Sequence, residues 1–172
     1  MATFYHLCCS KRFSINQIID GTPNVNENFS LLGETFSNYG ETLLGSPIIS
    51  PNPKMTISQI RNYFSEWIRQ NEFPSRPSRL NCLFCVKQIE QLKPWSKILK
   101  VKKDSLIYTV ESDSFFEADA KLLDAPNNLS DLLFNLRQYW KGEFTNAPRL
   151  EVLLSFPVHI VDIMDACDIL KL

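Results

Sequence analysis

Polar residues in three separated segments stand on runs that are otherwise apolar, at positions 5–6, 77–84 and 150–154. These residue types could stabilise a reacting group that develops positive charge and bind a phosphate beside it. A carboxylate such as Glu151 can stabilise positive charge that develops in a transition state. An arginine such as Arg79 offers a fixed fork of donors to a phosphate. Each segment alone is unspecific, so its meaning depends on the elements that carry it.

Length and composition predict one domain that spans residues 1–172. The chain is 44% hydrophobic and 12% aromatic, and a chain this long buries roughly 70% of its unfolded surface. A formal net charge of −1 provides no overall field for nucleic acid or an anionic membrane, so such a partner needs a local patch. Neither a signal peptide nor a long apolar run is evident. We therefore expect a cytoplasmic protein with no membrane partner.

The five cysteines do not form the even, spaced pattern of a secreted disulfide framework, so reduced thiols are expected. A structural zinc site from Cys8, Cys9, Cys82 and Cys85 is the alternative. It is disfavoured because residues three apart on a strand point to opposite faces. We expect no metal.

Apolar and β-branched residues predict strands at the start, the middle and the end of the chain. These strands are expected over residues 4–9, 80–86, 106–111 and 150–163, the last interrupted at Pro157. On the final strand, Glu151 points away from an unbroken apolar face. Strands separated by helices in this order predict an α+β or mixed α/β domain rather than a doubly wound parallel sheet.

Helices are predicted between these strands. The most regular helix begins at a capping box of Thr56 and Gln59 and ends before Phe73, since a residue preceding proline avoids the helical region. Its apolar face is Ile57, Ile60, Phe64, Trp67 and Ile68. Shorter helical segments are expected from Ser14 with Gln17, over residues 87–92 as far as Pro94, and from Ser130 to a left-handed cap at Gly142. Residues 24–54 are predicted as loops.

Several of these segments together resemble the ADP-ribosyltransferase superfamily. They are Tyr5–His6, the Phe-Pro-Ser-Arg-Pro-Ser-Arg run of residues 73–79, Trp95, residues 139–142 and Glu151. The chain is similar to a bacterial family in the H-Y-E-like branch, and the likeness covers most residues outside 24–54. The resemblance implies an ADP-ribosyltransferase-like split mixed β-sheet with flanking helices.

The resemblance also implies NAD as cosubstrate and assigns roles to individual residues. Glu151 is the catalytic residue, which bonds the hydroxyls of the nicotinamide ribose, and His6 binds NAD ribose hydroxyls. Phe84 or Trp95 takes the aromatic position, where the family usually has tyrosines. The residues expected to bind NAD are Tyr5, His6, Ser78, Arg79, Phe84 and Trp95.

The function implied is mono-ADP-ribosylation of a macromolecule, protein or nucleic acid, by a bacterial or phage toxin or defence effector. An antitoxin or inhibitor protein would be a further partner. Cations at Lys97, Lys100, Lys102, Lys103, Arg69 and Arg76 are a hint of nucleic acid, because phosphate binding needs such charges. The alternative is a non-catalytic interaction module with the same fold. A sequence-specific RNA-binding domain lacks its interleaved basic and aromatic strand motif.

The main candidates each have a structural interpretation as well. A single strand histidine such as His6 is often structural, and His159 is predicted to be so. Glu143 is the rival catalytic carboxylate, and Glu151 itself could be a solvated charge at a strand edge. Phe84 and Trp95 could be core residues.

Overall fold

A computed structural model describes residues 1–9, 12–20, 57–124 and 128–171, which form a mixed α/β structure with two antiparallel sheets. The strands in these ranges are β1 (Ala2–Cys8), β2 (Ile18–Ile19), β3 (Leu83–Cys85), β4 (Leu106–Ser112), β5 (Phe115–Asp119), β6 (Leu150–Leu154) and β7 (Val158–Asp165). The α-helices are α1 (Ile57–Glu72), α2 (Leu92–Ile98), α3 (Leu129–Lys141) and α4 (Ala166–Leu170). These elements agree with an α+β domain.

The first sheet has the strand order β1-β4-β7-β2, and the second has the order β3-β6-β5. The two sheets meet where Tyr5 of β1 pairs with Val86, just beyond β3. At this pair two backbone hydrogen bonds of 2.9 Å run in opposite directions. His6 adds a third link, because its Nδ1 lies 2.8 Å from the backbone oxygen of Phe84.

Apolar side chains pack on both faces of this arrangement. One core cluster combines residues of both sheets, including Phe4, Tyr108 and Val152. A second cluster packs the opposite face of β5 and β6 against α1 and α3, and a third packs β1 and β4 against α2 and α4. Helices α1 and α3 are also joined by Trp140, which donates a hydrogen bond of 2.9 Å to the backbone oxygen of Ser65.

Strands are confirmed at all the predicted places, although the one predicted over residues 80–86 is confined to Leu83–Cys85. Strands β2 and β5 were not predicted. Pro157 lies in the connection between β6 and β7, where its missing N–H costs no ladder hydrogen bond. The predicted apolar face of β6, with Glu151 on the other side, is confirmed. Leu153 lies on the same face as Glu151 and is fully buried, because helices cover that face too.

The main helix ends at Glu72 as predicted. Trp67 was wrongly placed on its buried face, since this side chain is 49% exposed. Ser65 is buried instead, and its backbone oxygen accepts the indole hydrogen bond of Trp140. The predicted cap Thr56, the side chains of Gln59, Ile57 and Ile60, and the predicted loops at 24–54 lie outside the described residues.

Two shorter helix predictions were wrong. Pro94 does not end a helix but lies in the first turn of α2, where the missing N–H has no intrahelical partner to lose. Ser14 and Gln17 do make the backbone and side-chain contacts expected of a cap. The chain then turns at Asn16, which has a positive φ of 65°, and enters strand β2 instead of a helix.

The N-cap of helix α3 is Asn128 rather than Ser130, because the Asn128 side chain accepts a hydrogen bond from the backbone N–H of Asp131. Its predicted end is confirmed, since Gly142 has a φ of 84°. A Cβ at this residue would also meet the Phe116 ring at 3.6 Å. The fold therefore uses the left-handed glycine to begin the segment that leads into β6.

Within the described ranges, no group of three or more His, Cys, Asp or Glu residues is placed to hold a metal ion. Cys82 and Cys85 lie in different core clusters, and burial raises the pKa of both thiols. None of the helices described has the length and apolar character needed to cross a membrane.

A buried carboxylate fixes the segment that enters β6. Asp119 accepts hydrogen bonds from the backbone N–H groups of Lys121, Thr145 and Arg149 at 2.8–2.9 Å, and from the Thr145 hydroxyl at 2.7 Å. Burial raises the pKa of Asp119, but the hydrogen bonds led by Thr145 lower it overall. Asp119 thus holds the backbone two residues before Glu151.

We expect Asp119→Asn to destabilise the fold by about 2 to 4 kcal/mol, because an amide NH₂ would face N–H donors. Since the folded pKa of Asp119 is lowered, its stabilisation is complete above the unfolded pKa and is lost as the pH falls through the folded pKa. Urea unfolding at several pH values would measure this. The difference between wild type and variant should shrink below about pH 4, and a pH-independent difference would contradict the prediction.

Candidate functional site

Glu151 is a carboxylate held inside the second sheet. It is the second residue of β6, the central strand, and lies opposite Ala118 of β5. Its side chain is only 5% exposed. A buried carboxylate requires compensation by hydrogen bonds and an opposite charge.

Arg79 provides that charge. Its Nη1 donates a hydrogen bond to Glu151 Oε1, and the two side chains form a salt bridge. The guanidinium lies over the rings of Phe84, at 4.9 Å, and Tyr139, at 5.2 Å. Two aromatic faces and a carboxylate therefore fix its position.

Tyr139 of α3 completes the group. Its hydroxyl accepts a hydrogen bond of 2.5 Å from Arg79 Nη1 and donates one of 2.7 Å to Glu151 Oε1. Both bonds to Glu151 thus end on the same oxygen. Within the described part of the chain, no hydrogen bond reaches the other oxygen, Oε2.

The protonation of this group follows from its burial and charges. Burial alone would lower the pKa of Arg79, but Glu151 and then Tyr139 raise it overall, so the guanidinium stays charged. Burial and Glu151 raise the pKa of Tyr139 far above its usual range, although Arg79 opposes this. The phenol therefore stays protonated and donates to Glu151.

Helix α1 anchors the loop that carries Arg79. The Glu66 carboxylate accepts hydrogen bonds from Arg69, at 2.7 Å, and from the Ser78 hydroxyl, at 3.0 Å. Arg69 also donates to the backbone oxygen of Arg76 at 3.0 Å. Ser78, predicted to bind NAD, thus helps to position Arg79. Arg69 is held by an internal partner, so it is a poor candidate for binding an external phosphate.

Further guanidinium groups surround the buried carboxylate. Arg61 of α1 interacts electrostatically with Arg79, Glu151, Asp124 and Arg149, and burial together with Arg79 lowers its pKa. It donates a hydrogen bond of 3.0 Å to the backbone oxygen of Leu123. Among the described residues, three arginines (Arg61, Arg79 and Arg149) therefore interact with two carboxylates here.

Trp95 and Arg149 lie at the start of β6. The Trp95 indole donates a hydrogen bond of 2.9 Å to the backbone oxygen of Leu150, and the Arg149 guanidinium lies 5.3 Å above the indole ring. Arg149 pairs with Asp124, while its Nε is buried and lacks a hydrogen-bond partner among the residues described. Trp95 thus supports β6, and Tyr5 packs in the same core cluster as Trp95.

His6 does not join this group, because it points to the other side of the sheets. Directly paired residues share a face, and neighbours along a strand alternate. Cys85 pairs with Val152, so it lies on the face opposite Glu151, and Val86 returns to the Glu151 face. Tyr5 shares that face through its pairing with Val86, and His6 lies opposite.

The surroundings of His6 agree with this placement. Its ring lies near those of Phe13 and Tyr108, at centroid distances of 6.3 and 6.1 Å. Burial lowers its pKa from 6.5, partly opposed by the hydrogen bond to the Phe84 oxygen. His6 therefore lies neutral among aromatic rings and links β1 to β3.

The structure thus gathers Arg79, Phe84 and Glu151 from the predicted site and adds two residues, Tyr139 and Arg61. Tyr139 was predicted only as part of segment 139–142 of the resemblance, with no polar role. The general need of a buried phenol for a hydrogen-bond partner does not indicate which residue it contacts. Glu143, the rival carboxylate, is exposed and lies outside this group.

We expect Arg79→Met to destabilise the fold by about 3 to 5 kcal/mol, because it leaves Glu151 buried without its opposite charge. The double variant Arg79→Met/Glu151→Gln should cost clearly less than the sum of the single variants. Denaturant unfolding of the four proteins measures this coupling. Additive costs would show that the two side chains do not depend on each other.

Comparison with known proteins adds a family to this geometry. No curated protein matches the sequence. Residues 4–166 match the family described as "Protein of unknown function (DUF2441)", a match that includes the whole Arg79–Tyr139–Glu151 group. Because this match covers nearly the whole chain, the protein belongs to the DUF2441 family.

Proposed function

We propose that the protein is an NAD-dependent mono-ADP-ribosyltransferase that uses Glu151 to modify a macromolecular target. The observation that supports this best is the held carboxylate. Arg79 and Tyr139 bind Glu151 Oε1, and Oε2 accepts no hydrogen bond from the described residues. An oriented carboxylate with one available oxygen fits the role of binding a ribose hydroxyl.

In the proposed reaction the bond between ribose C1′ and the nicotinamide nitrogen breaks. The electron pair leaves with nicotinamide, and the ribose gains oxocarbenium character that a nearby carboxylate stabilises. A nucleophilic atom of the target then bonds to C1′ and loses its proton to a base or to water. Glu151 contributes charge at a fixed position, and Arg79 and Tyr139 are positioning residues.

Other residues suit the remaining parts of NAD. Arg79 and Arg149 are guanidinium groups of the kind that bind a pyrophosphate. Arg149 Nε, which has no hydrogen-bond partner among the described residues, is a donor available to an anion. Phe84 is the aromatic side chain nearest to this group, since its ring lies against Arg79. In this proposal His6 acts indirectly, by holding β1 to the strand that carries Phe84.

The fold that we propose is the split mixed β-sheet of the ADP-ribosyltransferases. Two antiparallel sheets that meet at one residue pair, with helices packed on them, are compatible with a split ADP-ribosyltransferase-like sheet. A toxin or defence effector acting in the cytoplasm on protein or nucleic acid, and countered by an antitoxin or inhibitor, is the biological role proposed.

We expect Glu151→Gln to abolish release of nicotinamide from labelled NAD and transfer of label to lysate protein or nucleic acid. Glu143→Gln is the matched control and should retain both activities, because Glu143 is exposed and outside the group. Circular dichroism would establish that each variant is folded.

Glu151→Gln also removes the partner of Arg79, so a second variant keeps the test decisive. Glu151→Asp retains the charge, but its carboxylate is drawn back by one methylene. A folded Glu151→Asp protein should lose most nicotinamide release while NAD binding, measured by calorimetry, changes little. Wild-type turnover in either folded Glu151 variant would reject the proposed role.

A second candidate is a non-catalytic interaction module with the same fold. The observation that favours it is the salt bridge itself. Arg79 already contacts Oε1 of Glu151, and both side chains are largely buried. If wild-type protein neither binds NAD nor releases nicotinamide with any lysate fraction, this candidate replaces the enzyme.

A further inference from the structure

Five lysines form an exposed basic surface at α2 and the turn after it. This lysine surface consists of Lys93, Lys97, Lys100, Lys102 and Lys103, all exposed, in a chain with a formal net charge of −1. The salt bridges of the described residues include none of the five. The local charge is therefore uncompensated by ion pairs in the parts of the chain described.

Lys100 occupies a position that favours glycine. Helix α2 ends in a closing turn in which the Val101 N–H bonds to the Ser96 oxygen at 3.0 Å, and Lys100 has a φ of 52°. Gly142 fills the equivalent position after α3. A left-handed conformation is unfavourable for a residue with a Cβ. Lys100 therefore keeps a positive charge where glycine would adopt the backbone conformation more easily, as Lys171 does after α4.

Helix α2 is connected to the candidate site through one side chain. Trp95 lies in α2 on the face opposite Lys93 and Lys97. Its indole bonds to the backbone oxygen of Leu150, the residue before Glu151, and Arg149 lies over the same indole. The inner face of α2 thus supports the start of β6, while the lysines lie on the outer face, open to a partner.

We propose that the lysine surface binds the phosphate backbone of nucleic acid. Lysines act as point charges toward phosphates and release counterions from a polyanion. Residues 93–103 contain one aromatic residue, Trp95, whose indole N–H is already bonded. Binding is therefore through the backbone, without base stacking or sequence preference.

A membrane surface fits these observations less well. Interfacial helices bury a broad apolar face, whereas α2 has seven residues. The exposed large apolar side chains beside these lysines are Ile98, at 51%, and Leu99, at 43%. Nucleic acid is therefore the partner proposed for the lysine surface, and this proposal goes beyond the proposed function without depending on it.

The test is fluorescence anisotropy with labelled single-stranded DNA, single-stranded RNA and duplex DNA, at increasing salt and without NAD. Wild type should bind, with an affinity that falls linearly on a log–log plot against salt. Lys100→Gln should reduce the slope by about 0.7 to 0.9. Combined replacement of Lys97, Lys100, Lys102 and Lys103 by Gln should abolish binding. Lys141→Gln, at the end of α3, is the charge-matched control and should bind like wild type.

Lys100→Gly separates binding from folding. It should raise the thermal unfolding midpoint, because the left-handed turn is relieved, while weakening nucleic-acid binding as Lys100→Gln does. Failure of wild type to bind any oligonucleotide, or equal binding by Lys100→Gln and wild type, would overturn the proposal. Binding to phosphatidylserine vesicles but not to oligonucleotides would do the same. Oligonucleotide binding without nicotinamide release would reject the enzyme and retain the lysine surface.

Discussion

The structure depends on one buried ion pair. A carboxylate at the centre of a three-stranded sheet is tolerated only with an opposite charge and hydrogen bonds. Arg79 and Tyr139 provide both for Glu151. The loop that carries Arg79 is itself held in place. Glu66 accepts hydrogen bonds from Arg69 and from Ser78, the residue before Arg79.

This arrangement links the two helices α1 and α3 to the strand that they cover. Tyr139 comes from α3 and the loop anchors from α1, while Trp140 joins the helices to each other. Apolar residues at both 79 and 151 would remove the need for the buried ion pair. A chain that keeps a charge where hydrocarbon would pack well is consistent with selection for chemistry at that residue.

Much of the fold was predictable because it rests on local patterns. Alternation located β1, β4 and β6, and Gly142 marked the end of α3. The errors arose where tertiary contacts decide. Trp67 shares the spacing of the buried helix residues, but the interior position belongs to Ser65, whose backbone oxygen meets the Trp140 indole.

The residues of the candidate site were likewise predictable only in part. Glu151 stood out as a charge on an apolar strand, and Arg79 came from the same family resemblance, yet Tyr139 gave no separate signal because a tyrosine on a buried helix face is ordinary. The side to which His6 points depends on the pairing of Tyr5 with Val86, which have 80 residues between them in the chain. No local pattern carries that information.

The meeting of the two sheets has a mechanical consequence. Within each sheet, ladders of backbone hydrogen bonds resist separation, but Tyr5 and Val86 contribute a single pair, reinforced by the bond from His6 to the Phe84 oxygen. Opening there breaks fewer backbone bonds than opening within a ladder. The two sheets are therefore joined by fewer backbone hydrogen bonds than hold either sheet together, and their junction lies beside the strand that carries Phe84 and one strand away from Glu151.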